Sequence, residues 1–142
     1  MAGNKFSPRI GQKVKLPRSF VLVAVLAAGL WNIILVAAAT FNANWVLTRV
    51  DGGQFHSLPM GLRFANLGFT VLTLWVMLFA WRLWKFGGAN TAGDARWAKL
   101  VVIMYALSTF INLISRSPAE RLNAIPAAII VGGFILLRRP VD

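Results

Sequence analysis

The chain contains no cysteine, one histidine, one tyrosine and only four acidic residues among 142. Without thiols there are no disulfides, thiolate metal sites, iron–sulfur clusters or thiol redox steps, although the compartment stays open. One histidine cannot build a His-rich metal centre. Asp51, Asp94, Glu120 and Asp142 form no carboxylate pair or cluster of the kind two-metal or phosphatidyl-transfer chemistry needs. No cofactor and no metal are expected, and the chain reads as non-enzymatic.

Apolar and basic residues fill the space left. Hydrophobic residues make up 58%, charged residues 13%, and the mean hydropathy is +0.67, more apolar surface than one small soluble core hides. The length allows a single domain, 1–142. Four apolar runs stand out: Phe20–Phe41, Phe64–Trp81, Leu100–Ile114 and Leu122–Leu137. A bilayer core takes about 20 helical residues. The first run is long enough and the second acceptable; the last two need helix ends and outward-reaching Lys or Arg side chains. A re-entrant hairpin is their rival reading, although it requires a protein-lined cavity.

The fold class expected is therefore all-α: a polytopic membrane protein with four transmembrane helices in an up-down bundle. The spans fall at 19–41, 63–84, 95–115 and 118–137, with an outer loop at 42–62 and an inner loop at 85–94. The basic residues orient them. Lys5, Arg9, Lys13, Lys15 and Arg18 precede the first span, Arg82, Lys85, Arg96 and Lys99 flank the inner loop, and Arg138 and Arg139 close the tail. The other side holds only Arg49, Arg63, Arg116 and Arg121. Such an excess marks the cytoplasmic face, so 1–18 and 138–142 are cytoplasmic and both termini lie inside the plasma (inner) membrane. The net charge of +11 is then topological. Anionic lipids at the cytoplasmic face are a partner for the "KVKLPR" segment, and no aromatic-basic module points to nucleic acid. The basic start and "AAAT" at Ala37–Thr40 imitate a signal peptide, but the apolar stretch exceeds a signal core of roughly 7–15 residues. An uncleaved first helix is expected.

"SPAE" reads as helix chemistry. Ser117 accepts from the amide of Glu120 and Glu120 reaches back to the amide of Ser117, a capping box with Pro118 in the first helical position. Arg116 sits at the preceding helix C-terminus with Glu120 near enough to offset it. Asp94 is the expected N-cap of the third helix after a short, mobile "GGANTAG" loop, and Pro126 is expected to bend the fourth helix. Trp75, Trp81, Trp84 and Trp97 suit an aromatic belt.

Polar residues within the spans are few, and they recur at helical spacing: Asn32; Asn66, Thr70 and Thr73; Ser108, Asn112 and Ser115; and Asn123. If these stripes face inward they form a polar cleft opening away from the cytoplasm. Arg63, Arg116 and Arg121 would rim it for an anion or lipid headgroup, with His56 and Arg49 as further rim candidates. The competing reading is interhelical hydrogen bonding alone. Ala124, Ala128 and Gly132 form a small-residue stripe permitting close helix approach.

The pattern Asn112, Ser115, Ser117, Glu120, Arg121 and Pro126, followed by an apolar run, resembles the last hairpin of uncharacterised four-helix bacterial integral membrane proteins. The resemblance covers about the last 35 residues and implies architecture and a bacterial source, with no activity attached. The small multidrug-resistance exporters share the helix count, but their first-helix Glu has no counterpart here. The first functional expectation is a small accessory or structural protein packing against a homo-oligomer or a larger membrane complex. The second is a small transporter, channel or lipid-binding protein using the cleft.

Overall fold

A computed structural model describes residues 16–141; Lys5, Arg9, Lys13, Lys15 and Asp142, together with most of the 1–18 basic segment, lie outside the described residues. The described chain is all-helical. Helix α1 spans Arg18–Thr40, α2 Met60–Lys85, α3 Ala92–Leu113, α4 Pro118–Arg121 and α5 Ala124–Leu137. Short 3-10 helices at Asn44–Arg49 and Asp51–Gly53 shape the loop between α1 and α2.

Among the described residues three segments are long and apolar enough to cross a membrane: α1, α2 and Pro118–Leu137. That fits a multi-pass membrane protein. Helix α3 has 22 residues, but Arg96, Lys99 and Asn112 dilute it, and it is not among the three. Large apolar side chains nonetheless cover the outside of every long helix; Val23, Leu78, Leu107 and Ile129 are all exposed. A soluble bundle would turn polar residues outward at such places.

Helix α1 packs on α2 and α5, and α3 packs on α5, whereas α2 and α3 do not pack extensively on each other. Two apolar clusters result. One, at the end holding the start of α1 and the end of α5, includes Val25, Val76, Leu83, Val101, Ile130 and Phe134. The other seals the opposite end, where Val46, Leu47, Val50 and Leu58 fold back onto Leu35 and Ala39 of α1.

Local chemistry explains the helix ends, and corrects several expectations. Thr91, not Asp94, caps α3: its hydroxyl accepts from Asp94 N at 3.0 Å, and Asp94 instead pairs with Arg82 at 3.0 Å. The capping box is half made. Ser117 Oγ accepts from Glu120 N at 3.3 Å, but Ser117 N donates to Ser115 Oγ at 3.1 Å and Glu120 turns elsewhere. Arg116 and Glu120 form no salt bridge; among the described residues Arg82–Asp94 is the one found.

Pro126 acts one turn ahead of itself. It has no N–H for the Leu122 carbonyl, so Ile125 N donates there instead at 3.2 Å, and a turn at Leu122–Asn123 separates α4 from α5. Helices α1 and α2 end in Schellman motifs. Ala43 N reaches Ala38 O at 2.9 Å with Asn42 at φ 56, and Gly88 N reaches Leu83 O at 2.8 Å with Gly87 at φ 73. The loop after α2 is tied down rather than free, since Ala89 N donates to Arg138 O at 3.1 Å and Val141 N to Gly87 O at 2.8 Å.

The small-residue stripe is displaced by one position. Ala128 and Gly132 are exposed, and a Cβ on Gly132 would meet nothing within 4 Å. Gly133 is the point of close approach: a Cβ there would collide with Cγ2 of Val25 on α1.

Candidate functional site

Because α1 holds α2 on one side and α5 holds α3 on the other, the α2–α3 seam is bridged only by side chains. Trp75 meets Trp97 edge-on, with ring centroids 5.4 Å apart. The Thr73 and Tyr105 hydroxyls lie 3.2 Å apart one layer nearer the loop end. Between that layer and the folded loop lies a cavity of about 400 Å³, within the size range of small-molecule sites.

Its floor is a polar triad of buried Thr73 and Tyr105 with half-buried Asn32. Asn32 of α1 donates from Nδ2 to Thr73 Oγ1 at 3.1 Å and to Tyr105 Oη at 3.5 Å, so three helices are joined at one point. The walls carry Asn66 of α2 and Ser108 and Asn112 of α3, with Asn123 where α5 begins. Asn112 Nδ2 donates to Ser108 O at 2.8 Å, and Asn123 Nδ2 donates to Arg49 O at 2.8 Å. The lid consists of Arg49 and Asp51 from the α1–α2 loop and Glu120 from α4.

Glu120 explains how the lid is held. Its Oε2 accepts from Gly52 N at 2.8 Å and from the Ser115 hydroxyl, and Ser117 Oγ donates to Thr48 O. Burial pushes the Asp51 carboxyl above its usual pKa, and the charge of Glu120 pushes it further in the same direction. The cavity opens sideways between α2 and α3, where Phe69, Leu107 and Ile111 are more than half exposed.

Of the cleft residues expected from sequence, Asn32, Asn66, Thr73, Ser108, Asn112 and Asn123 line this cavity. Thr70 and Ser115 do not: Thr70 bonds back to Asn66 O at 2.9 Å, and Ser115 is spent on Glu120. The arginine rim is not assembled at the cavity. Arg63 Nε donates to Thr40 O at 2.7 Å, Arg121 Nε to Ser115 O at 2.8 Å, and Arg116 is exposed. The cationic residue at the cavity is Arg49, which the sequence offered only as a further candidate, and His56 is exposed away from it. Sequence reasoning passed over Tyr105, whose spacing of three and seven residues to Ser108 and Asn112 was a readable signal. It also passed over the two lid carboxylates as neighbours of the cleft. The one hydroxyl on a lid carboxylate, Ser115 on Glu120, lies off the cavity lining, and the polar groups that do line it suit holding and orienting a bound molecule.

No protein-family model, curated protein or solved structure matches this chain.

Proposed function

We propose that this chain is a non-enzymatic, multi-pass protein of a bacterial plasma membrane that holds an amphiphilic molecule drawn from the bilayer. The observation that carries the reading is the sideways cavity: a polar floor and lid, open toward a surface of exposed apolar side chains. A head group fits the former while a hydrocarbon chain lies along Phe69, Leu107 and Ile111. The cavity requires α3 to lie at membrane depth beside α2. That favours α3 as a fourth span, with both ends on the cytoplasmic side where the basic residues gather. The exposed apolar face of α3, with Leu100, Ile103, Leu107 and Phe110 outward, supports the same placement.

A second reading, a helix-packing component of a homo-oligomer or larger complex, is favoured by the uncovered Ala128 and Gly132 on α5. The two are separable. Ser108→Trp fills the cavity without touching the α5 face. Purified in mild detergent, the parent protein should carry roughly one stoichiometric lipid by mass spectrometry and the variant none. Equal retention in the two proteins would refute the cavity reading.

A further inference from the structure

The cavity's unused hydrogen-bonding capacity is one-sided, and that side identifies the bound head. Asn112 and Asn123 each direct Nδ2 to a backbone carbonyl, Ser108 O and Arg49 O, both at 2.8 Å. A carbonyl can only accept, so neither amide can be flipped, and each leaves its Oδ1 as the free atom. Asn123 is only 8% exposed, and its Oδ1 has no hydrogen-bond partner among the described residues, a state that buried polar atoms rarely keep. The lid adds two carboxylates, Asp51 and Glu120, against one guanidinium, Arg49. What the protein offers a ligand here is mostly acceptors and negative charge.

We propose that the molecule held in the cavity carries a protonated primary amine, which donates N–H groups to Asn123 and its neighbouring acceptors under the charge of Asp51 and Glu120. This rests on the cavity reading above and names its ligand class. A bare anion meets one cation and two carboxylates, and a quaternary ammonium has the charge without the N–H donors. The upward push on the Asp51 carboxyl accords with a site short of positive charge when empty. A zwitterionic head sets its phosphate toward Arg49 and its ammonium toward Asp51, while Glu120 keeps its bonds to Gly52 N and the Ser115 hydroxyl.

The test uses the full-length protein in nanodiscs of equal parts dioleoyl phosphatidylethanolamine, phosphatidylcholine and phosphatidylglycerol. The lipid that stays bound through release into detergent is then counted by native mass spectrometry. Phosphatidylethanolamine and phosphatidylcholine share phosphate, chains and net charge and differ in N–H donors, so the first should exceed the second by about tenfold, the value of one charged hydrogen bond. Asp51→Asn, at a position whose carboxyl makes no bond among the described residues, should bring the ratio toward parity. Asn123→Leu should do the same by removing the free acceptor. Equal retention of these two lipids, or preference for phosphatidylglycerol, overturns the amine assignment and leaves the cavity reading standing. An unchanged preference in both variants overturns the site. Retention of no lipid by any of the proteins overturns the cavity reading itself.

Discussion

Arg18 ties three parts of the bundle together, and its loss should be felt throughout. It begins α1, yet its guanidinium donates to Leu83 O at 3.2 Å, Leu137 O at 2.9 Å and Arg139 O at 3.0 Å. These carbonyls belong to the last turns of α2 and α5 and to the tail, where a carbonyl has a lone pair to spare, even that of Leu83 with Gly88 N already on it, and the dipole favours a cation. A hydrogen bond from a charged donor contributes about 1.5–3 kcal/mol net. Three bonds from one half-exposed group do not add in full, so Arg18→Ala should cost about 2–4 kcal/mol. Arg18→Lys keeps the charge but presents a compact ammonium that cannot reach three separated carbonyls, and should recover less than half. The measurement is reversible unfolding in mixed micelles, followed by helix content as denaturing detergent rises. Two results would refute the reasoning: a cost under about 0.5 kcal/mol for Ala, or full recovery by Lys, which would show that charge alone matters.

Two more outcomes follow from the packing and the lid. Gly133→Ala should destabilise by about 1–3 kcal/mol, because its Cβ drives into Val25. Gly132→Ala should be neutral or stabilising by up to about 1 kcal/mol; equal effects in the same unfolding assay would mean that α1 and α5 do not approach at Gly133. Asp51 predicts a pH dependence in protein stripped of lipid. Its folded pKa is raised above 3.8, so the folded state binds the extra proton, and stability falls as pH rises from about that value through the folded pKa. A thermal midpoint that declines with pH across this window, and declines less in Asp51→Asn, is expected; a midpoint that rises equally in both contradicts the burial of Asp51.

How far the sequence could be read depended on whether a residue's role was set by its own helix. Asn32, Asn66, Ser108 and Asn112 lie on helix faces whose direction follows from spacing, and they reach the cavity. Thr70 lies four residues beyond Asn66, about 40° further round the helix, and its hydroxyl takes the carbonyl one turn back. The arginines failed as a rim because a guanidinium near a helix end takes the nearest unpaired carbonyl. Arg63 finds that of Thr40 on another helix, and no pattern within α2 announces it. The small-residue stripe failed for a different reason. Gly132 and Gly133 are adjacent, so two stripes were available, and only the position of Val25 on α1 decides between them. Glu120 was read as a local cap, yet it serves Gly52, 68 residues away. Partners that distant are set by tertiary structure.

The same dependence on tertiary structure explains why the polar site lies where it does. Helices α2 and α3 are neighbours in sequence, and the six residues between them would allow an antiparallel pair packed tightly along its length. Bulky side chains prevent it: Trp75 stands on Phe79 at 5.3 Å and meets Trp97, which props the seam open from within. Below this wedge the Arg82–Asp94 pair closes the gap, and above it Thr73, Tyr105 and Asn32 do so. Only the segment beyond that triad is left without a bridge, and it is there that the unfilled acceptors of Asn112 and Asn123 collect. A cavity made only for interhelical adhesion would have spent those acceptors on a facing helix. Here α2 faces them across the cavity with Asn66, whose side chain bonds to no group among the described residues, and with Phe69, which is turned outward. The unspent hydrogen bonds and the sideways opening therefore belong to one feature, and both are what the proposed guest, entering from the bilayer head first, would require.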